Sequence, residues 1–241
     1  MLATVAVSSE SGAYNHGGVG MAKTVLITGA GSGFGKSAAI LLADRGHDVI
    51  ASTESQEQAD ALAAERSDLR TMKLDVTDPG DIAGAADLGV DVLINNAGVG
   101  VLGPMASMPM DKVRLSFDVN VFGMIALSQA VIPGMRERGG GRIINVSSIA
   151  GVLASALGSP YCMTKHAVEA FTSSLRAEME PFGIDVTKVN PGPYDTGFND
   201  RMVNGIATWI APGDEATTAA HGAISDIVLS GQLDPDEVAQ T

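Results

Sequence analysis

The chain is poor in the residues that would commit it to several large classes of protein. Its one cysteine, Cys162, excludes an intramolecular disulfide framework and suits a buried structural thiol in a reducing compartment. Lysine and arginine number 15 against 28 aspartates and glutamates, and the resulting formal charge of −13 repels nucleic acid and anionic membranes. Neither is expected as a partner. No unbroken apolar run approaches the roughly 18 to 20 residues that span a bilayer, and residues 1–20 lack the basic start of a signal peptide. A cytoplasmic protein is the expectation. The histidines, His16, His47, His166 and His221, are too scattered for a ligand cluster, so no metal site is expected.

What the chain does have is aliphatic residues in a regular rhythm. Hydrophobic residues make up 45% of it, ample for a core, although aromatics are only 4%. From Met21 onward, short β-branched runs alternate with longer Ala- and Leu-rich stretches, the pattern of parallel strands buried on both faces and joined by crossover helices. Strands are expected at 24–28, 48–52, 69–76, 91–97, 142–148 and 184–190, and helices at 34–46, 55–66, 78–88, 109–137 and 161–181. The fold class is therefore α/β, a single doubly wound, Rossmann-type parallel sheet with helices on both faces and ligands beyond the carboxyl ends of its strands. No repeat, linker or charge block marks a second domain, so residues 21–241 read as one domain after a disordered extension at 1–20.

The first strand runs into Thr28-Gly29-Ala30-Gly31-Ser32-Gly33-Phe34-Gly35 and then a helix. Glycines at such a turn let the backbone approach a pyrophosphate, whose charge is met by amides at the helix N-terminus. The spacing of Gly29, Gly33 and Gly35 is G-x-x-x-G-x-G, because Phe34 stands where the G-x-G-x-x-G frame needs its last glycine. Asp75, at the end of the third strand, either accepts a hydrogen bond from an adenine amino group or caps a turn. Asn95-Asn96-Ala97-Gly98, at the end of the fourth, lies beside the nucleotide or closes backbone hydrogen bonds between strands. Tyr161-Cys162-Met163-Thr164-Lys165 sets a phenol and an ammonium one helical turn apart. Alone, the pair reads equally as the polar edge of an amphipathic helix.

Taken together and in order, these motifs resemble the short-chain dehydrogenase/reductase family. The resemblance rests on TGAGSGFG at 28–35, NNAG at 95–98, Asn120 in DVNVFG, Ser148 in NVSSIAG, YCMTK at 161–165 and NPG at 190–192, and it covers roughly residues 21 to 200. It implies a nicotinamide cofactor and a catalytic set of Asn120, Ser148, Tyr161 and Lys165. The cofactor would lie against Gly29, Ser32, Gly33, Phe34, Gly35, Thr53, Asp75, Val76, Asn96, Ala97 and Gly98. Its nicotinamide end would meet Tyr161, Lys165, Pro191, Gly192 and Thr196. The chemistry suits these residue types. Lowering a phenol from a pKa near 10 by about three units needs roughly 4 kcal/mol, which one ammonium about 4 Å away supplies at an effective dielectric of about 20. Ser148 would steady charge on the substrate oxygen, with Ser147 as its rival, and Asn120 would hold a water behind the lysine.

Thr53 stands where the family carries an acid for the ribose, yet no Lys or Arg occurs from 46 to 65 and Glu54 follows, so NAD is favoured and NADP is the alternative. Tyr194, Phe198, Met202, Ile206, Trp209 and Ile210, in 193–212, offer an apolar wall for a small to medium secondary alcohol or ketone, unless they only pack the loop. Tyr194 could equally line the nicotinamide. Arg201 is the only basic residue there. After 184–190, residues 214–230 read as a helix and 234–241 as the start of another, so no seventh strand is expected. A homodimer through 109–137 and 161–181 is the expected assembly. The competing functional class is a non-catalytic protein on the same fold that binds the nicotinamide nucleotide or senses redox state.

Overall fold

Alternation along the first strand shows why the sheet is buried on both sides. Val25 and Ile27 pack into one apolar cluster with Ala39, Val49 and Leu62, while Leu26 between them packs into another with Leu93, Leu127, Ile143 and Val186. Apolar side chains on successive residues therefore each find a core. The computed structural model describes residues 22–209, 218–219, 222, 225, 229 and 232–234.

The strands are β1 (Thr24–Ile27), β2 (Asp48–Thr53), β3 (Arg70–Lys73), β4 (Val92–Asn95), β5 (Gly141–Val146) and β6 (Ile184–Val189). All pair in parallel, in the order β3-β2-β1-β4-β5-β6. The order reverses beside β1, and a crevice opens there beyond the carboxyl ends of the strands. The helices are α1 (Gly33–Asp44), α2 (Gln56–Glu65), α3 (Pro79–Ala85), α4 (Met110–Phe117), α5 (Met124–Glu137), α6 (Ser159–Met179) and α7 (Phe198–Gly205).

Three expectations are corrected. The stretch at 109–137 is not one regular helix, because a π turn at Asp118–Gly123 separates α4 from α5. The strand expected at 69–76 stops at Lys73, since Asp75 turns the chain by accepting from the amide and hydroxyl of Thr77. A helix not expected, α7, lies in the apolar loop after β6. Residues 1–20, Ile210, and most of 214–230 and 234–241 lie outside the described residues, although Thr218, Ala219, Gly222, Ser225 and Leu229 are helical. Among the described residues after α7, Leu233 forms a parallel bridge with Tyr194.

The helical stretch Met110–Glu137 is long and apolar enough to cross a membrane by length and composition, since an 18-residue window within it has a mean hydropathy of 1.5. Its Leu127, Val131 and Met135 are instead packed on the sheet, at most 2% exposed. Beneath the crevice, a closed set of hydrogen bonds ties strands to helices. Asn95 donates to Ser128 on α5 and to Asn145 on β5, and Asn145 donates to Thr172 on α6. Each of these polar groups is buried with a partner, so α5 and α6 are held in one register against β4 and β5.

Candidate active site

The loops after β1, β4, β5 and β6 converge on a cleft of about 1090 Å³, large enough for a dinucleotide with room beside it. Its floor begins at the glycine turn. Gly33 has φ of +54°, and a Cβ there would sit 2.8 Å from Thr196 Cβ, so the turn and the loop after β6 touch only because the side chain is absent. Gly35 is closer still, since its Cβ would come within 2.5 Å of the Gly29 carbonyl and of Asn96 Nδ2. Gly35 thus packs α1 against β4 and does not line the cleft. Ser32 caps α1 without a side-chain hydrogen bond, which leaves the first-turn amides turned toward the cleft.

The NNAG motif supports this turn from the side. Asn96 Nδ2 donates to the carbonyls of Thr28 and Gly29, at 2.9 and 3.1 Å, and Thr28 Oγ1 accepts from the amides of Asn96 and Ala97, both at 3.0 Å. The side-chain nitrogen of Asn96 is therefore spent on the backbone of the turn. Ala97, Gly98, Asp75 and Val76 line the next part of the wall. At the end of β2 the expected residue is displaced. Thr53 is fully buried, donates to the Ser55 carbonyl at 2.9 Å and stays outside the cleft. Glu54 and Gln58 take its place on the wall. Gln58 escaped the sequence reading because no motif marks it, but it lies three residues after the α2 cap Ser55, whose hydroxyl accepts its amide.

At the other end, Ser148, Tyr161 and Lys165 meet. Ser148 follows β5 directly, and its hydroxyl accepts from the Ala150 amide at 3.1 Å while lying within hydrogen-bond reach of the Tyr161 phenol. Ser147 turns the other way, toward Glu169, without a hydrogen bond of ordinary length. The rivalry resolves in favour of Ser148 as the serine beside the phenol. Lys165 is buried, and its Nζ donates to the Val146 carbonyl at 2.8 Å, 5.7 Å from the Tyr161 ring centre.

The expected electrostatics do not hold for this pair. Burial pushes the Tyr161 phenol up to about 12, against a smaller opposing effect of the Ser148 hydroxyl. Burial likewise lowers the Lys165 ammonium to about 8, with the Glu169 carboxylate pulling the other way. Desolvation dominates both groups, and the ammonium, bonded to the Val146 carbonyl, stands 5.7 Å from the ring centre.

Asn120 sits in the π turn, almost fully buried. Its Oδ1 accepts from the Val99 amide at 2.7 Å, and its Nδ2 donates to the Val99 carbonyl at 2.8 Å and to Thr164 Oγ1 at 3.0 Å. Its side chain is thus committed to protein partners and does not line the cleft, unlike the water-holding group expected.

The loop after β6 completes the enclosure. Pro191, Gly192 and Thr196 line it, and Tyr194 packs edge-on against Phe34, with ring centres 5.3 Å apart, on the glycine-turn side. Phe198 meets the Tyr161 ring at 5.7 Å, and Met202 closes the wall beside Leu102. Ile206 is buried in that cluster and Trp209 packs against it, so both hold α7 down and neither lines the cleft.

A sheet that reverses at a glycine turn, with free helix amides at one end and a serine, tyrosine and lysine at the other, defines a dinucleotide-dependent oxidoreductase. A sequence model described as short chain dehydrogenase matches residues 23–206. The chain belongs to that family. It is 38% identical over 232 residues to an uncharacterized oxidoreductase, YusZ, of Bacillus subtilis, covering 90% of this chain and 82% of the relative. It spans 58% of the length of another curated relative. A short-chain dehydrogenase/reductase from Burkholderia phymatum in complex with NAD superposes with a TM-score of 0.78 at 28% identity, covering 91% of this chain and 83% of that one. The closed form of a serine dehydrogenase complexed with NADP+ gives 0.76 at 29%, with 90% and 86% covered.

Proposed function

We propose that the protein reduces a small to medium, mostly apolar ketone to its secondary alcohol, or runs the reverse, with NAD as the preferred cofactor and Tyr161 as the proton-transfer group. The observation that carries this reading is the meeting of Ser148, Tyr161 and Lys165 at one end of a cleft whose other end is the glycine turn. The residues fit a dinucleotide: uncapped amides of α1 suit its pyrophosphate, and Gly31, whose Cβ would have nothing closer than 3.6 Å, leaves room above the turn. The bound nicotinamide would supply the hydride. The chain handles the proton. With the phenol raised to about 12, Tyr161 stands protonated at neutral pH, the form that gives a proton to a carbonyl oxygen as charge builds there. Ser148 supports that oxygen with a hydrogen bond, and the Lys165 ammonium stabilises the tyrosinate left behind. Asn120 contributes by holding Val99 and Thr164, and so the strand end and the helix, in place.

Substrate class follows from the walls next to Tyr161. Leu102, Leu153, Phe198 and Met202 are apolar, and Arg201 is the one side chain of fixed charge among the lining residues of α7. NAD is favoured because Glu54 and Gln58 line the cleft beyond β2 and no basic residue stands with them, so a 2′-phosphate would meet a carboxylate. The reading is tested by following NADH oxidation with a panel of aliphatic and aryl ketones. Wild type should turn over some of them, whereas Tyr161→Phe should lose about 10²- to 10⁴-fold in kcat while binding NADH as before. Equal rates in both proteins would instead support a redox sensor with incidental activity. A homodimer through α4, α5 and α6 belongs to the same reading, because Met110, Phe122 and Met163 leave 56%, 58% and 44% of their surface exposed there. Light scattering should then give twice the 24.6 kDa of the chain, and the monomer mass would remove that assembly.

A further inference from the structure

The face of α6 that carries Tyr161 and Lys165 carries a third ionisable residue one turn further on, Glu169. Its side chain is only 15% exposed, and both carboxylate oxygens are engaged. One is ion-paired with Lys188 of β6, and the other accepts from Asn190 Nδ2 at 2.6 Å. Asn190 Nδ2 also donates to the Ser148 carbonyl at 3.0 Å. Two backbone bonds complete the link: the Ile149 amide donates to the Pro191 carbonyl at 3.1 Å and the Ser147 amide to the Val189 carbonyl at 2.9 Å. Glu169 is therefore the node at which the helix of the tyrosine and lysine, the strand end of the serine and the turn lining the nicotinamide end are tied together.

We propose that Glu169 is a positioning residue: through Asn190 it holds Ser148 in register with Tyr161, and its charge keeps Lys165 in the ammonium form. The inference rests on the function proposed above. A buried carboxylate needs partners, and Lys188 alone would satisfy its charge. What Lys188 does not supply is the shared amide of Asn190, which bonds Glu169 and the Ser148 backbone at once. The titratable groups around the pair are Tyr161, Cys162 and Glu169 on α6, with Lys188 of β6 on the far side of Glu169. Of these, the Glu169 carboxylate is the one that favours the protonated lysine. Its removal takes that support away and leaves Lys188 without its carboxylate partner.

The test compares wild type, Glu169→Gln, and the double variant Glu169→Gln/Lys188→Met in ketone reduction with NADH, with thermal unfolding measured alongside. Glu169→Gln should lower kcat at least tenfold with KM within threefold, and should move the alkaline limb of kcat/KM to lower pH by about one unit. The double variant, which also removes the unpaired lysine, should regain the Tm of wild type without regaining kcat. A purely structural role predicts the opposite, that rate returns with Tm, and that result overturns the proposal. So does an active wild type whose rate and pH profile Glu169→Gln leaves unchanged. A folded wild type that binds NADH but reduces no ketone overturns the functional reading, and this inference with it.

Discussion

At Tyr161 two effects compete for the phenol proton, desolvation and the hydrogen bond of the Ser148 hydroxyl, and in this structure desolvation is the larger. The same burial acts with the opposite sign on Lys165, and the two residues make different demands on stability. Lys165 has a folded pKa of about 8 against 10.5, so between those values the unfolded chain binds more protons and stability rises with pH. Tyr161 has a folded value of about 12 against 10.0, so across that window the folded chain keeps a proton that the unfolded chain loses, and stability falls. Urea unfolding at about pH 7.5 and 9.5 should show Lys165 contributing a gain of about 2 kcal/mol, an effect that Lys165→Met removes. An equal pH dependence in both proteins would mean that Lys165 is not desolvated. None of this was legible in the spacing of YCMTK, which places the groups on one helical face but says nothing of the Val146 carbonyl that draws the ammonium away.

Among the elements, the glycine turn and the π turn are where a small change should do most. Gly33→Ala would place a Cβ 2.8 Å from Thr196 Cβ in a left-handed conformation, with a backbone cost of about 1 to 2 kcal/mol. The loop after β6 must then move away from α1. NADH affinity should fall at least tenfold in a fluorescence titration, and unchanged affinity would show that the contact does not shape the cofactor site. In the π turn, Asn120→Ala would leave the amide and carbonyl of Val99 without their side-chain partner. Urea unfolding should report a loss of about 2 kcal/mol or more, as for buried backbone groups left unpaired. The six strands were legible because their apolar runs need two cores, and two cores exist. The π turn was not, because its extra residue leaves the helical pattern of 109–137 almost undisturbed. Helix α7 left a readable trace, Phe198, Met202 and Ile206 at four-residue spacing, hidden by the glycines and prolines around it. Glu169 left the same trace, since it repeats the interval from Tyr161 to Lys165.

For the whole molecule, two properties bear on which dinucleotide enters. The chain carries a formal charge of −13, and the wall beyond β2 offers Glu54 and Gln58 with no cation beside them. A 2′-phosphate adds charge of the same sign, so NADH should bind at least tenfold more tightly than NADPH, with the gap narrowing as salt is raised. Tighter binding of NADPH would mean that Glu54 turns outward and that hydroxyls or amides receive the phosphate. The central claim, however, concerns chemistry: that this cleft passes a hydride to a ketone while Tyr161 supplies the proton. The most direct measurement is the mass of the alcohol formed from a ketone and NADH deuterated at both C4 positions. The account predicts one deuterium on the carbinol carbon with wild type and a yield lower by about 10²-fold or more with Tyr161→Phe. An alcohol without deuterium, or an equal yield from the two proteins, would contradict it.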